Sequence, residues 1–186
     1  GEQTPVMTES ELLTFLDKRR GVRDGVCITG GEPTLHPALP DLLRQIRTLG
    51  YAVKLDTNGS YPTVLKELVR AELLDYVAMD IKNAKDAYLQ TAGTEKNILP
   101  AVEESVAFLK EGHVPYEFRT TVVKGFHTEA RMREIGAWLG DVPHYFIQNF
   151  SDAGEVLTGG LSGFTPSELK ALCDAVLPYI PNAKVR

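Results

Sequence analysis

Residues 25–37 read GVCITGGEPTLHP: an apolar strand that breaks at Gly30 and Gly31 and is followed by the carboxylate of Glu32. Glycines allow the main chain to approach a ligand closely, because no Cβ stands in the way. The last carbonyls of such a strand can accept hydrogen bonds from an ammonium group, and Glu32 adds a charged acceptor beside them. On these residues alone two interpretations stay open: a tight turn, or a site that holds a bound cation.

The composition of the whole chain is that of one folded domain. Its 186 residues, of which 43% are hydrophobic, are enough to bury a sizeable core. The formal net charge of -5 argues against a surface for nucleic acid or for acidic membranes. No apolar run approaches the ~20 residues that cross a bilayer, and the first residues lack the pattern of a signal peptide. The cytoplasm is therefore the expected compartment, with no nucleic-acid or membrane partner.

Apolar strands alternate with helices along the chain. Five strands are predicted, at residues 25–29, 51–59, 75–83, 115–123 and 144–150. Six helices are predicted around them, at residues 8–21, 40–50, 62–73, 99–111 and 128–139 and from Thr165 onward. Thr8 with Glu11, and Thr165 with Glu168, have the capping-box spacing that marks a helix start. This alternation predicts one parallel sheet covered by helices, in a single domain.

Three of these strands carry charges on the face opposite their apolar side chains. Residues two apart in a strand share a face, so each strand contributes one cation and one anion to that face. The pairs are Lys54 with Asp56, Lys82 with Asp80, and Arg119 with Glu117. Charged groups are costly to bury unless they are paired or meet a ligand. The pattern predicts either a polar lumen inside a curved sheet or a solvent-exposed face that carries surface ion pairs.

Polar residues also gather where the strands end. The first strand runs into Gly30, Gly31 and Glu32, the second into Asp56, Thr57 and Asn58, and the third into Asp80 and Lys82. Parallel α/β folds bind ligands at the carboxyl ends of their strands, because the connecting loops meet there. We therefore expect one ligand site at this end of the sheet.

Together these stretches carry a family resemblance. ITGGEPTL (28–35), LDTNG (55–59) and MDIK (79–82) resemble the radical S-adenosylmethionine (radical SAM) enzymes, and in particular the group that activates glycyl radical enzymes. FRTTVVKGFHT (118–128) and YFIQNF (145–150) resemble the Arg-bearing strand and the last barrel strand of that family. The resemblance covers nearly the whole chain and is strongest to the activating proteins of anaerobic ribonucleoside-triphosphate reductase, followed by the pyruvate formate-lyase activating enzymes. It implies an α/β fold, a partial (β/α) barrel of parallel strands with the cofactor across the strand ends.

The resemblance also implies which residues contact S-adenosylmethionine. Gly30, Gly31 and Glu32 match the motif that receives the amino group of the methionine moiety. Lys82 is implied near the methionine carboxylate or the ribose. Arg119 is implied on the carboxylate, for which its planar guanidinium is better suited than a lysine.

Two further segments are assigned in the same way. Asp56 and Thr57 match a segment beside the methionine carboxylate and, together with Asp80, imply a small cation site. Gln148 and Asn149 match the adenine end of the cofactor more loosely.

The chain departs from the family in two places. Ser151 stands where some relatives have a histidine. The family's C-x-x-x-C-x-x-C loop, whose thiolates hold three irons of a 4Fe-4S cluster, does not occur in this sequence. The two cysteines of the chain, Cys27 and Cys173, are predicted to be core residues. The resemblance therefore implies an N-terminally truncated partial barrel over residues 1–186, without the first strand and the cluster ligands.

For the intact protein the resemblance implies an anaerobic radical oxidoreductase. One electron from the reduced 4Fe-4S cluster, supplied by a donor such as flavodoxin or ferredoxin, would cleave S-adenosylmethionine to methionine and a 5′-deoxyadenosyl radical. That radical would remove a hydrogen atom from a backbone glycine of a glycyl radical enzyme, with anaerobic ribonucleoside-triphosphate reductase as the expected partner. The barrel would hold the cofactor in position, and this chain alone is expected to be inactive.

Two other functions stay open at this point. The first is a radical SAM enzyme that acts on a small molecule or on RNA, although the absence of basic patches weighs against RNA. The second is a binding or assembly module that never held a cluster. The four histidines, at positions 36, 113, 127 and 144, lack partners at metal-ligand spacing and are expected in surface or capping roles. The glycine-rich residues 158–164 are expected to form a linker, or a mobile loop near the site.

Overall fold

The computed structural model describes residues 7–22, 25–151 and 160–186. Within these residues, six strands form one open sheet in chain order, and every neighbouring pair is parallel. The strands are β1 (Gly25–Ile28), β2 (Ala52–Thr57), β3 (Tyr76–Asp80), β4 (Tyr116–Val122), β5 (Tyr145–Asn149) and β6 (Lys184–Val185). The predicted α/β partial barrel of parallel strands is confirmed, and all five predicted strands are present.

The described residues contain seven α-helices. They are α1 (Glu9–Asp17), α2 (Leu39–Thr48), α3 (Pro62–Arg70), α4 (Tyr88–Ala92), α5 (Leu99–Lys110), α6 (Glu129–Leu139) and α7 (Pro166–Val176). Capping boxes at Thr8 and Thr165 start α1 and α7, as predicted. α1 and α3 end about one turn before their predicted ends. In the part of the chain that the structure describes, no helix is long and apolar enough to cross a membrane.

The two faces of the sheet differ in polarity. Val53, Leu55, Val77, Met79 and Phe118 are at most 1% exposed and pack with the helices in one hydrophobic core. Because successive side chains of a strand point to opposite sides, the charged residues lie on the other face. This polar face comprises Lys54, Asp56, Asp80, Glu117 and Arg119, which contact one another across the strands. The predicted alternation of apolar and charged faces is confirmed.

The sequence pattern does not predict β6 or α4. β6 has two residues and α4 has five. A hydrophobic period becomes visible only over longer segments, so elements of this length leave no recognisable pattern. The predicted glycine-rich stretch 158–164 begins outside the described residues, which resume at Gly160.

The prediction that both cysteines are core residues is right for Cys173 and wrong for Cys27. Cys173 is buried on α7, whereas Cys27 is exposed. β1 lies at the edge of the sheet, and Cys27 pairs in register with Lys54, which places its side chain on the polar face. A strand of four apolar residues does not specify which of its faces is buried, because a shift of one residue exchanges the two faces.

Glu72, which follows α3, has a left-handed backbone with φ of +57°. This conformation costs an L-residue roughly 1–2 kcal/mol, a cost that glycine avoids. We expect Glu72→Gly to raise the free energy of unfolding by about 0.5–1 kcal/mol, measured by urea denaturation. The matched control is Glu67→Gly, an exposed position inside α3, which should lower the free energy of unfolding by about 1 kcal/mol. Equal effects of the two substitutions would contradict this account of Glu72.

Candidate functional site

A cavity of about 340 Å³ lies at the carboxyl ends of β1, β2 and β3 and extends to Arg119 of β4. It brings together every site residue predicted from these four strands. The lining residues are Thr29, Gly30, Gly31, Glu32, Asp56, Thr57, Asn58, Asp80, Lys82 and Arg119. A larger hollow of about 720 Å³ lies between α1 and α2, but no basic side chain lines it. The strand-end cavity is the candidate site because charges of both signs meet there.

The guanidinium of Arg119 bridges three neighbouring strands. Register places Arg119 directly beside Asp80 of β3, and its Nε lies 2.7 Å from Oδ1 of Asp80. Its Nη2 lies 3.1 Å from Oδ2 of Asp56, on β2. Burial opposes the charge, but the hydrogen bond and charge of Asp80, together with those of Asp56, raise the pKa of Arg119 above its usual value. Arg119 is therefore held as a cation at the wall of the cavity.

Arg119 and Glu117 share the polar face, as predicted, but Arg119 takes its partners from other strands. These partners are Asp80 of β3 and Asp56 of β2. Glu117 is instead 3.0 Å from Nη2 of Arg186 and 4.0 Å from Nζ of Lys54.

The other two predicted ion pairs are present but long. Nζ of Lys54 lies 3.7 Å from Oδ1 of Asp56, and Nζ of Lys82 lies 3.7 Å from Oδ2 of Asp80. Oδ1 of Asp56 is buried and has no hydrogen-bond partner among the described residues. A buried acceptor without a donor is costly, and the charge of Lys54 at 3.7 Å offsets part of that cost.

Glu32 joins the loops that follow β1 and β2. Its Oε1 accepts hydrogen bonds from the hydroxyl groups of Thr34 and Thr57, at 2.5 and 2.6 Å. Its Oε2 accepts one from the main-chain N–H of Asn58, at 2.8 Å. Glu32 also caps the 3-10 helix Pro33–Leu35, so the stretch G-G-E-P is indeed a turn. Since a carboxylate oxygen accepts about two hydrogen bonds, Oε2 has room for one further donor.

The two glycines leave open space in the wall of the cavity. Gly30 has φ of +113°, a conformation that glycine adopts far more readily than other residues. Gly31 has no such requirement, yet no atom lies within 4 Å of a Cβ built at this position. Gly31 lines this cavity and a second one of about 250 Å³, so a side chain at this position would occupy open space without displacing protein atoms.

Gln148 and Asn149 lie at the end of β5 and do not line this cavity. Asn149 makes two hydrogen bonds with the main chain of Phe164. Its Oδ1 accepts from the N–H of Phe164, and its Nδ2 donates to the carbonyl of Phe164, both at 2.8 Å. The side chain thus behaves like a peptide group of a neighbouring strand and holds Phe164 against β5. Contact of Gln148 and Asn149 with an adenine ring stays a prediction.

The described residues do not form a metal centre: no group of three His, Cys, Asp or Glu side chains among them could hold a metal ion. The guanidinium of Arg119 contacts both Asp56 and Asp80, where the sequence implied a small cation. A 4Fe-4S cluster needs several thiolates, and the chain has two cysteines, on β1 and α7. Desolvation, followed by the charge of Asp56, raises the pKa of the Cys27 thiol. The residues of this chain alone do not fit a 4Fe-4S cluster.

His127 is buried, which contradicts the surface or capping role expected from the sequence. It is 2% exposed and lies between the loops that follow β3 and β4. The main-chain N–H of Val123 donates to Nδ1 at 3.0 Å, so the ring proton is on Nε2, which lies 2.8 Å from the carbonyl oxygen of Lys82. Burial lowers the pKa of His127 below its usual value. The other three histidines are exposed, as expected: His36, His113 and His144.

Comparison with known proteins agrees with this fold. Residues 2–138 match the Radical SAM superfamily. A Methanocaldococcus jannaschii protein, named provisionally as a glycyl-radical enzyme activating enzyme, is 32% identical over 186 residues, which cover 97% of this chain and 77% of that protein. A Thermococcus kodakarensis protein, named provisionally as a GTP 3',8-cyclase, is 30% identical over 129 residues, 68% of this chain and 40% of that protein. This chain therefore spans less than half of the second relative.

A solved structure shares the fold. It is a domain of a pyruvate-formate lyase-activating enzyme from Bacteroides vulgatus, with a TM-score of 0.70 and 17% identity. The alignment covers 88% of this chain and 99% of that domain. The present chain belongs to the radical SAM superfamily, as the sequence motifs implied.

The buried His127 predicts a pH dependence of stability. In the unfolded chain this histidine has a pKa near 6.5, and burial lowers that pKa in the folded state. As the pH falls through 6.5, the unfolded state binds a proton that the folded state does not, so the free energy of unfolding falls. We expect the free energy of unfolding, measured by urea denaturation, to fall less between pH 7.5 and pH 5.5 in His127→Gln than in the unchanged chain. If the free energy of unfolding falls equally in both proteins over this pH range, His127 does not cause the pH dependence.

Proposed function

We propose that this domain binds the methionyl end of S-adenosylmethionine, and that the protein is an activase that generates a glycyl radical on a partner enzyme. The observation that carries the first part is the strand-end cavity, in which carboxylates and cations from four strands face one space. The methionyl group of the cofactor has an ammonium and a carboxylate a few bonds apart, so its binding site needs acceptors and donors together.

The ammonium group is assigned to the side of the cavity formed by Glu32. Oε2 of Glu32 has room for one more donor, because among the described residues it accepts from the main-chain N–H of Asn58 alone. Gly30 and Gly31 place no side chain between this carboxylate and the ligand. Asp56, whose Oδ2 is held by Arg119, adds negative charge to the cavity wall.

The carboxylate is assigned to the cations on the other side. Arg119 has five N–H donors, and its contacts with Asp80 and Asp56 leave others for a ligand. Lys82 is paired with Asp80 only at 3.7 Å, and its side chain is 41% exposed. Both groups can thus reach a carboxylate without breaking a short ion pair.

S-adenosylmethionine supplies radical chemistry when it is bound beside a reduced iron-sulfur cluster. Since the residues of this chain do not fit the cluster, their contribution is to orient the methionyl end of the cofactor and to keep it in one place. Asp56, Asp80 and Arg119 would set that orientation, because the guanidinium of Arg119 holds both carboxylates.

The activase role rests on the relatives. The Methanocaldococcus jannaschii protein matches nearly the whole chain, and its provisional name is that of a glycyl-radical enzyme activating enzyme. We infer a glycyl radical enzyme as the partner, with anaerobic ribonucleoside-triphosphate reductase as the first candidate, and flavodoxin or ferredoxin as the electron donor. An alternative is a radical SAM enzyme that acts on a small molecule, which the similarity to a GTP 3',8-cyclase favours.

Gly31→Val tests whether the cavity holds the cofactor. The valine would fill open space rather than clash, so the free energy of unfolding should change by less than about 0.5 kcal/mol. Affinity for S-adenosylmethionine, measured by calorimetric titration of this chain, should fall roughly tenfold or more, because overpacking costs 1–3 kcal/mol. The control is Thr63→Val, an exposed position at the start of α3 that does not line the cavity. If both variants bind as the unchanged chain does, the cofactor does not lie in this cavity.

The partner is tested with the protein as its gene encodes it. After anaerobic reconstitution with iron and sulfide, incubation with S-adenosylmethionine, a reductant and anaerobic ribonucleoside-triphosphate reductase should produce a glycyl radical on the reductase. Electron paramagnetic resonance detects that radical directly. If no radical appears on the reductase, while cofactor cleavage is stimulated by GTP, the small-molecule alternative is supported instead.

A further inference from the structure

The main chain that follows β3 is fastened by side chains from other elements. The hydroxyl group of Thr120, on β4, donates to the carbonyl of Ile81 at 2.7 Å. The amide of Asn83 donates to the carbonyl of Phe126 and to the hydroxyl of Thr91, both at 2.9 Å. The carbonyl between these two anchors belongs to Lys82, which is the residue of this loop that lines the cavity.

His127 supplies the anchor at Lys82 itself. Its Nε2 donates to the Lys82 carbonyl at 2.8 Å, and its Nδ1 accepts from the N–H of Val123 at 3.0 Å. Both ring nitrogens are therefore occupied, and at 2% exposure the ring is shielded from water. The imidazole thus connects the loop after β4 to the main chain of Lys82 without contacting the cavity.

The side chain of Lys82 is the least constrained charge of the site. Within the part of the chain that the structure describes, its Nζ has one charged partner, Asp80 at 3.7 Å. Lys82 lines both the 340 Å³ cavity and a neighbouring cavity of about 190 Å³. Because that ion pair is long, the direction of the Lys82 side chain depends on where its main chain is held. A histidine that fixes the main chain of Lys82 therefore fixes the point from which the Lys82 side chain extends.

We propose that His127 is a positioning residue for ligand binding, which acts through the main chain of Lys82 and sets where its ammonium meets the anionic group of the ligand. This inference rests on the proposed function, since it assigns Lys82 to the carboxylate of S-adenosylmethionine. The hydrogen bond from His127 to the Lys82 carbonyl positions the main chain of Lys82. The hydrogen bond that Nδ1 accepts from Val123 orients the imidazole ring.

A double-mutant cycle tests whether the histidine acts through the lysine. Lys82→Met and His127→Leu should each weaken the binding of S-adenosylmethionine by roughly three- to tenfold, the range expected for one hydrogen bond. The double variant should bind no more weakly than Lys82→Met, because the histidine has nothing to position once the ammonium is gone. Losses that multiply would overturn the proposal, since they would mean that His127 acts independently of Lys82.

Two conservative variants separate positioning from general support of the fold. His127→Gln keeps an N–H donor at the reach of Nε2 for the Lys82 carbonyl. The shorter side chain of His127→Asn carries its amide near the ring position of Nδ1 and leaves the Lys82 carbonyl without a donor. Positioning predicts that the Gln variant binds S-adenosylmethionine within about twofold of the unchanged chain and that the Asn variant resembles His127→Leu. Equal losses in the Gln and Asn variants would overturn the proposal.

A measurement without the cofactor keeps this inference separate from the proposed function. Acylation of Lys82 by an amine-reactive ester, followed by mass spectrometry, should be several-fold faster in His127→Leu than in the unchanged chain and unchanged in His127→Gln. Lys170, on α7, serves as the internal reference. An unaltered rate at Lys82 would overturn the role of His127 even if the cofactor binds. If the cofactor does not bind but the rate changes as expected, the positioning of Lys82 is supported and the proposed function is wrong.

Discussion

The contact of Arg119 with two carboxylates is the interaction on which the rest of the site depends. It joins side chains from β2, β3 and β4, so it fixes the relative position of three strand ends at once. Without the cation, Asp56 and Asp80 would repel each other across a partly buried gap. The guanidinium of Arg119 stabilises the charged face of the sheet beside the candidate ligand site, while the opposite face packs in the core.

The amino-acid pattern was sufficient to predict this polar face but not its pairing. Period-two alternation assigns Asp80 and Arg119 to one side of their strands, because side chains in a strand must alternate. It does not give the register between strands, and register decides that Arg119 lies beside Asp80 while Glu117 reaches Arg186. The same limit explains Cys27: a short apolar strand is compatible with either face, so its exposure was not predictable.

Contacts of side chains outside the long helices and strands were the hardest to predict. No hydrophobic period applies at His127, and its hydrogen bonds with Val123 and Lys82 form only on folding. Thr34, in the 3-10 helix Pro33–Leu35, contacts the carboxylate of Glu32 in the same way. The position of Glu32 just after the first strand, by contrast, was predictable, because the two glycines interrupt the apolar strand before it. Asn149 lies between these cases, because its position at a strand end was evident but its pairing with Phe164 was not.

The hydrogen bonds around Glu32 bear on the entropy of ligand binding. Thr34, Thr57 and Asn58 hold the carboxylate in one rotamer before any ligand is present. Immobilising a side chain during association costs about 0.5–1.5 kcal/mol, so an anionic group that is already preorganised avoids this loss. Lys82, with its long ion pair, keeps its rotamer freedom until a ligand binds. Selectivity should therefore be stringent at the amine end of a ligand, where a rigid acceptor enforces the geometry. At the acid end, Lys82 can follow a change that the fixed guanidinium of Arg119 cannot.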